Sequence, residues 1–374
     1  MTLLAPHPSP ARGEAGVPLP RRDPIETLPV LILFPHARCN CRCLMCDIWK
    51  EKDPRELSAD EVARWSGEWR GLGVTRVVLS GGEALMHSDL FALCAPLRAA
   101  GIGITLLSSG LLLARDAERI AGTIDDVVVS LDGPRAVHDA IRNVPRAFDR
   151  LAEGVAAVRA AAKRRGAPVA LSARCTVQRA NFRHLRGTVE AARAIGLDRI
   201  SFLAADVRSE AFNRPGGWDT ARASSVALAK EEIPDLAAEL DALVRENARD
   251  FASGFVAESP AKLRTRLHDY FAALAGDGEL PPNRCNAPWV SSVVESDGAV
   301  RPCFFHAPIG NVREAGSLAA VLNSPKALAF RRGLDVATDP VCRSCVCTLE
   351  LRGPTSFAGS ASGETPAPPG ELRA

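Results

Sequence analysis

The sequence lacks an excess of charge of either sign, a long apolar run and an export signal. Lys and Arg number 46 against 44 Asp and Glu, and the resulting net charge of +2 gives no strong field. No apolar run approaches the ~20 residues that span a bilayer. The N-terminal residues show no basic segment followed by an apolar one, as a secretory signal requires. We therefore expect a cytoplasmic protein with no nucleic-acid partner and no membrane partner.

The composition is that of a globular protein with clustered cysteines. Of the 374 residues, 47% are hydrophobic and 24% are charged, so the chain can bury a large core. Its 11 cysteines fall mainly into two clusters. Disulfides are rare in the cytosol, so these clusters indicate a metal or catalytic role.

Six short runs rich in β-branched residues alternate with helical stretches. The runs are 30–34, 75–80, 102–108, 126–132, 168–177 and 199–204. Ser58 and Glu61 have the spacing of a capping box that begins the first helix. Strands that alternate with crossover helices predict an α/β fold with a parallel sheet, either open and doubly wound or closed toward a barrel.

The same patterns suggest five segments. We predict a disordered Pro-rich leader over 1–27, a core over 28–228, a helical linker over 229–282 and a disordered tail over 353–374. The segment 283–352 has five cysteines and a turn signal at Asp297-Gly298. It is predicted to be a small cysteine-rich α+β module with a hairpin, held by metal more than by a core.

The first cysteine cluster contains Cys39, Cys43 and Cys46. On a helix this spacing would form one buried face, but Pro35 before it favours a loop. Thiolates suit iron–sulfur clusters, and three protein ligands leave one metal position open for a substrate or cofactor. Cys41 is a possible fourth ligand, although its alternate spacing makes a bystander the preferred interpretation.

This cluster and its companions resemble the radical S-adenosylmethionine (SAM) enzymes. The chain has their CxxxCxxC motif after the first strand and Gly81-Gly82-Glu83 after the second, with Ala84 where the family usually has proline. The resemblance implies a partial (β/α)6 TIM-like barrel with a [4Fe–4S] cluster on Cys39, Cys43 and Cys46. It also implies SAM-binding positions, namely Met45, Gly81, Gly82, Glu83, Ser108, Ser109, Ser130, Asp132 and Arg174.

The second cluster contains Cys285, Cys303, Cys342 and Cys345. A zinc ribbon is the physical alternative for such a set. The spacing around Gly298 resembles the SPASM and twitch domains that follow radical SAM cores, and this implies an auxiliary [4Fe–4S] cluster on these four residues. No cysteine follows Cys347, which departs from the full SPASM pattern; Cys347 is a possible substitute ligand. Cys94 and Cys175 are predicted to be buried thiols.

The resemblance implies an oxidoreductase that cleaves SAM reductively and abstracts hydrogen through a 5′-deoxyadenosyl radical. Flavodoxin or ferredoxin is the expected electron donor. Few residues precede the first strand, so a small natural-product or sugar-like substrate is expected, with dehydrogenation or rearrangement as the reaction. The alternatives are a maturase of a ribosomally made peptide that uses a separate recognition protein, and a non-catalytic zinc or iron–sulfur scaffold. The intact motifs disfavour the scaffold.

Overall fold

The computed structural model describes residues 18–352, and nine strands of this part form one sheet. Their order across the sheet is β6-β5-β4-β3-β2-β1-β7-β8-β9. The strands are β1 (Val30–Leu33), β2 (Arg76–Leu79), β3 (Gly103–Ser108), β4 (Asp126–Ser130), β5 (Ala170–Val177), β6 (Arg199–Ala204), β7 (Ser291–Val294), β8 (Ala299–Arg301) and β9 (Gly310–Asn311).

The first six strands confirm the predicted barrel. They pair in parallel and in sequence order, for example Leu31 opposite Val77, and each overlaps its predicted run. The end strands β6 and β9 do not pair with each other. The sheet is therefore unclosed, as expected of a partial (β/α)6 barrel.

Helices connect and cover the strands of the described region. They are α1 (Ala59–Gly71), α2 (Leu90–Ala99), α3 (Leu113–Thr123), α4 (Arg135–Arg142), α5 (Ala147–Arg165), α6 (Leu185–Ala194), α7 (Thr220–Val226), α8 (Ile233–Glu246), α9 (Ala248–Ser253), α10 (Pro260–Leu263), α11 (Tyr270–Leu274), α12 (Ala287–Val290), α13 (Val312–Ala315), α14 (Leu318–Leu322), α15 (Pro325–Gly333) and α16 (Pro340–Arg343). The predicted capping box of α1 is present, with the Ser58 N–H donating to Glu61 Oε2 at 2.8 Å. No helix among residues 18–352 has the length and apolarity needed to cross a membrane.

Alternation along the strands separates a packed face from an open face. Leu31 and Val77 are fully buried in the core cluster that also contains Leu93 of α2 and Ile120 of α3. The residues between the buried positions point to the opposite face. Arg174 on this opposite face is exposed, so the inner face of the sheet is accessible.

The second cysteine-rich segment shares the barrel's sheet. Residues of β7 pair in parallel with β1, in register from Val30 opposite Ser291 to Leu33 opposite Val294. The predicted hairpin at Asp297-Gly298 joins β7 to the antiparallel strand β8. We expected a separate small module over 283–352, but its first strand extends the core. The physical reason is that β1 would otherwise present an unpaired edge.

Residues 18–27 pack against the rest of the structure, unlike the predicted disordered leader over 1–27. The Leu19 N–H donates to the Leu351 carbonyl at 2.9 Å, and Asp23 forms an ion pair with the buried Arg331. Ile25 and Leu28 are buried in the main core cluster. Burial of these two apolar side chains explains why the ordered chain begins before residue 28. Residues 1–17 and the predicted tail 353–374 lie outside the described residues.

The predicted linker helix is interrupted and lies against the barrel. It divides at Asn247 into α8 and α9. Arg186 of α6 forms an ion pair with Glu239 of α8 at 3.0 Å. The segment 229–282 therefore covers the outside of the barrel and also connects β6 to β7, the strand that pairs with β1.

The loop after β2 approaches the loop after β1 very closely at Gly82. A Cβ atom at Gly82 would lie 2.0 Å from the Arg38 carbonyl oxygen, a separation that no side chain tolerates. The Glu83 N–H donates to the same carbonyl at 2.8 Å. Gly82 is thus required for the shape of the cysteine loop, because only a residue without Cβ permits this contact.

We expect Gly82→Ala to destabilise the protein by about 1–3 kcal/mol, because the two loops must separate. It should also reduce the iron retained after anaerobic reconstitution. Thermal unfolding and iron analysis measure these effects. Gly67→Ala is the matched control, since Gly67 lies in α1 with no atom within 4 Å of the added methyl group. Wild-type stability and iron content in Gly82→Ala would contradict this role.

Candidate active site

The loop between β1 and residue 48 brings Cys39, Cys43 and Cys46 together. Two backbone hydrogen bonds tie it to α4: the Arg42 N–H donates to the Arg142 carbonyl at 3.2 Å, and the Leu44 N–H to the Ile141 carbonyl at 3.0 Å. The segment is a loop and not the single helix face considered as the alternative.

A buried ion pair faces this loop from the end of β4 and from α4. Arg142 and Asp132 form an ion pair at 2.5 Å, and Asp132 is fully buried. The Asp132 carboxylate also accepts the Thr176 N–H at 3.0 Å. Arg142 Nη1 lies 3.4 Å from the Cys43 sulfur. Asp132, a predicted SAM position, therefore holds a cation against a predicted cluster ligand.

The cysteine thiols differ in acidity. A hydrogen bond from Cys41 and the charge of Arg142 lower the pKa of Cys43 to about 6, against the effect of burial. A hydrogen bond from Cys41 also lowers the pKa of Cys39. Burial raises the pKa of Cys46 to about 12. Since thiolates are the metal ligands, the lowered pKa of Cys43 favours metal binding, whereas the raised pKa of Cys46 opposes it.

Cys41 lies between two of the predicted ligands. It is 1% exposed, and its thiol interacts with those of Cys39 and Cys43. The bystander interpretation of Cys41 therefore stays a prediction.

The predicted Gly-Gly-Glu motif makes contacts within the protein. The buried Glu83 carboxylate accepts hydrogen bonds from Ser108 Oγ at 2.9 Å, the Ser109 N–H at 2.7 Å and Ser109 Oγ at 2.6 Å. Burial raises the pKa of Glu83, and these hydrogen bonds oppose the increase. Gly81 has φ +95°, which favours glycine. The structure thus brings Glu83, Ser108 and Ser109 together. We call this arrangement the Gly-Gly-Glu clamp, because the Glu83 carboxylate joins the end of β2 to the end of β3 by hydrogen bonds.

One polar side chain beside this clamp has an unused hydrogen-bonding group. Asn40, next to Cys39, has its Oδ1 atom 3.0 Å from Ser109 Oγ. Its Nδ2 atom is buried without a hydrogen-bond partner. A buried donor of this kind is costly, so it marks a place where a ligand acceptor would be stabilised.

Ser130 and Arg174 are neighbours on the inner face of the sheet. Ser130 of β4 pairs with Arg174 of β5, which pairs with Ser201 of β6. Arg174 Nε donates to Ser201 Oγ at 3.2 Å. This polar row runs across the strands toward the open edge at β6.

A loop after β6 that the sequence interpretation missed covers the Cys43–Cys46 turn. Arg214 Nη2 donates to the carbonyl of the predicted SAM position Met45, and Arg222 Nη2 donates to the Leu44 carbonyl, each at 2.5 Å. Trp218 Nε1 donates to Asp47 Oδ2 at 2.7 Å. An available signal was a tryptophan and several arginines directly after a strand end, where parallel α/β folds build their sites.

Arg214 is the buried centre of this loop. Its side chain is 1% exposed and forms an ion pair with Asp206 at 3.0 Å. The guanidinium lies 3.7 Å from the centre of the Trp218 ring. Both interactions compensate the cost of burying the charge and keep it behind the cysteine loop.

An aromatic cluster links three distant segments. Phe304 lies 5.7 Å from Phe34 at the end of β1, 4.7 Å from Phe212 after β6 and 5.2 Å from Phe305, between ring centres. All four rings are half-buried. Phe304 follows Cys303 directly, so the cluster lies between the two cysteine sites.

The second cysteine set also converges. The thiols of Cys285, Cys303, Cys342 and Cys345 interact electrostatically, and burial raises the pKa of Cys303 to about 11. Asn283 Nδ2 donates to the carbonyls of Cys342 at 2.6 Å and Cys345 at 3.0 Å, which fixes the CxxC turn. Cys347 is exposed and interacts with Cys303 and Cys345, so substitution by Cys347 stays a prediction.

The donor sets fit the two predicted groups. Three converging cysteines with the unpaired Asn40 amide beside them suit a [4Fe–4S] cluster that keeps one position for SAM. Four cysteines at the second site suit a closed auxiliary cluster, and zinc would fit the same four ligands. Cys94 and Cys175 are fully buried in the core cluster, as predicted for buried thiols.

Two family models match the chain. The model described as Radical SAM superfamily matches residues 33–177, and the model described as iron–sulfur cluster-binding domain, SPASM, matches residues 285–346. The second match favours iron–sulfur over zinc at the second site.

Named relatives cover different shares of the chain. The pre-heme d1 synthase of Dinoroseobacter shibae is 31% identical over 60% of this chain and 54% of that protein. The PqqA peptide cyclase of Ruegeria pomeroyi is 29% identical over 82% of this chain and 77% of that protein. The chain spans about half the length of the first curated relatives that it matches.

The fold is shared with a solved structure, SuiB of Streptococcus suis with its precursor peptide SuiA bound. It has a TM-score of 0.59 at 17% identity and covers 86% of this chain and 71% of that chain. The cysteine loop and the Gly-Gly-Glu motif lie within the region that the radical SAM model matches, and the second cysteine set lies within the region that the SPASM model matches. The chain belongs to the radical SAM superfamily and has a C-terminal SPASM-type iron–sulfur domain.

Proposed function

We propose that the protein cleaves SAM reductively and uses the resulting 5′-deoxyadenosyl radical to abstract hydrogen from a peptide. The observation that carries this proposal is the extent of the match to PqqA peptide cyclases. They align over 82–88% of this chain. The heme synthases align over 32–60% of it. The small-molecule substrate expected from the sequence is therefore less well supported than its peptide alternative.

Contacts from the rest of the protein fix the position of the first cysteine loop. Asp132 holds Arg142 against Cys43, and the loop after β6 holds the carbonyls of Leu44 and Met45. Met45 and Cys43 are buried, so these contacts also exclude water from one side of the site. When bound, the cluster supplies the electron for SAM cleavage.

We propose that a peptide side chain binds between the two cysteine sites. On one side of this proposed binding region lie the rings of Phe34, Phe212 and Phe304. On the other side lies the polar row of Ser130, Arg174 and Ser201. An apolar border lowers the local water content, and the polar row supplies donors for orientation. A site with both borders accepts an amphipathic substrate group.

The four-cysteine set of the SPASM domain supports an outer electron-transfer role. Cys285, Cys303, Cys342 and Cys345 fill the positions of a closed cluster, which leaves none for direct substrate ligation. A two-electron oxidation of the peptide with transfer of one electron to this cluster is the net reaction that we propose.

The first experiment tests SAM cleavage. The protein, reconstituted anaerobically with iron and sulfide, should form 5′-deoxyadenosine from SAM with dithionite. A Cys39→Ala/Cys43→Ala/Cys46→Ala variant should form none and still retain the second cluster. Cys303→Ala should keep part of the cleavage and lose product formation. Equal yields of 5′-deoxyadenosine from wild type and the triple variant would contradict the assignment of the first site.

A second experiment separates the substrate classes. A synthetic pool of side-chain-deuterated peptides is one arm, and deuterated iron coproporphyrin III is the other. Only the peptide arm should transfer deuterium to 5′-deoxyadenosine, detected by mass spectrometry, with the triple variant as control. Transfer from the porphyrin alone would favour the tetrapyrrole relatives and overturn the peptide proposal.

The electron donor is proposed to dock beside Cys39. A cavity of about 630 Å³ opens there and is lined by Arg42, Trp49, Lys50 and Lys52 as well as Cys39. Arg42 and Lys52 are exposed, and the Arg42 guanidinium lies 5.5 Å from the centre of the Trp49 ring. A basic opening at a cluster ligand suits an acidic redox protein, either a flavodoxin or a ferredoxin.

Reversing two of these charges should slow reduction by flavodoxin. We expect Arg42→Glu/Lys52→Glu to reduce its rate by about tenfold at low salt, with a smaller salt dependence, because electrostatic steering is lost. Reduction by dithionite should be unchanged. Arg249→Glu, at an exposed position of α9, is the matched control. An unchanged rate with flavodoxin would place the docking surface elsewhere.

A further inference from the structure

A histidine lies against one of the four cysteines of the second site. His306 Nε2 is 3.4 Å from the Cys342 sulfur and 3.8 Å from Asp339 Oδ1. The three ligand-type atoms of His306, Asp339 and Cys342 lie within 4.8 Å of one another. Neither the sequence motif nor the family match assigns His306 a role.

Packing fixes the orientation of the imidazole. His306 is 8% exposed, and its ring meets Phe330 edge-on with 4.9 Å between ring centres. Its carbonyl accepts a hydrogen bond from Arg301 Nη1 at 3.0 Å. The residue follows Cys303 by three positions, so the same turn presents both a thiol and an imidazole to the site.

The backbone of Cys342 is also fixed. The Asp339 Oδ1 atom accepts the Cys342 N–H at 2.8 Å and caps the start of α16. Asp339 is therefore engaged with the backbone, and its 3.8 Å separation from Nε2 exceeds a hydrogen bond. The imidazole is left with the sulfur as its partner.

The geometry distinguishes a donor from a ligand. In the proposed auxiliary site, Cys285, Cys303, Cys342 and Cys345 would supply all four ligands of a closed cluster, so an added imidazole would have no position to fill. When bound to a cluster, Cys342 is a thiolate and can only accept. Nε2 must then be the protonated nitrogen of the ring.

We propose that His306 is a positioning residue whose Nε2–H donates a hydrogen bond to the Cys342 sulfur and raises the reduction potential of the auxiliary cluster. The proposal rests on the auxiliary cluster of the proposed function. Hydrogen bonds to ligand sulfurs remove electron density from them and so stabilise the reduced cluster, which carries more negative charge. A higher potential makes this cluster a better acceptor of the electron from substrate oxidation.

The test uses the full chain with only the second cluster present. In the Cys39→Ala/Cys43→Ala/Cys46→Ala background, the midpoint potential is measured by a redox titration followed by electron paramagnetic resonance. We expect His306→Leu to lower the potential, changing the ratio of reduced to oxidised cluster about tenfold at fixed applied potential, as for one charge-assisted hydrogen bond. His306→Gln keeps an N–H donor and should restore most of the difference.

Iron analysis distinguishes a change in the reduction potential from loss of the auxiliary cluster, and a variant at a distant histidine is the control. His184→Leu, at an exposed position before α6, should leave the potential unchanged. An unchanged potential in His306→Leu at full iron content would overturn the proposal. Loss of iron in both His306→Leu and His306→Gln would also overturn it, because His306 would then be a ligand or a packing residue. Absence of iron in the triple variant itself would remove the auxiliary cluster, whereas SAM cleavage by the wild type would stand.

Discussion

The parallel pairing of β1 with both β2 and β7 is the constraint on which both sites depend. The carboxyl end of β1 continues into the first cysteine loop, and β7 carries the hairpin of the second cysteine set on its other side. Cys285 precedes β7 and Cys303 follows the antiparallel β8. The Phe304 ring, next to Cys303, lies 5.7 Å from Phe34 at the carboxyl end of β1. The strand β1 therefore connects the two sites, and the aromatic cluster joins the segments that lead to both.

Two buried arginines place positive charge beside the first cysteine loop. Asp132–Arg142 and Asp206–Arg214 are two buried ion pairs that approach the cysteine loop from different strands. Desolvation makes such pairs poor sources of stability, and an apolar replacement often folds as well. Their value here is a fixed positive charge beside Cys43 and behind Met45. These charges would stabilise the negative charge of the thiolates that hold the predicted [4Fe–4S] cluster.

Much of this arrangement could be predicted from local sequence. The six barrel strands are short β-branched runs, and Pro35 directs Cys39, Cys43 and Cys46 into a loop. Asp297-Gly298 marks the hairpin. The pairing of β7 with β1 has no local signal, because it depends on which edge is left unpaired. The segment after β6 carries Arg214 and Trp218 in a loop and Arg222 in α7. It has no hydrophobic periodicity that indicates its contacts with the cysteine loop, so these contacts follow only from tertiary packing.

The same loop has a consequence for the order of events during folding. Its contacts with Leu44, Met45 and Asp47 join residues 169 to 178 positions apart. Contacts of such long range form late, after the intervening strands have paired. The cysteine loop thus leaves the ribosome well before the residues that contact it, and it cannot make these contacts until they have been synthesised. The part of the cysteine loop around Leu44 and Met45 is therefore covered only after β6 and the segment that follows it have folded.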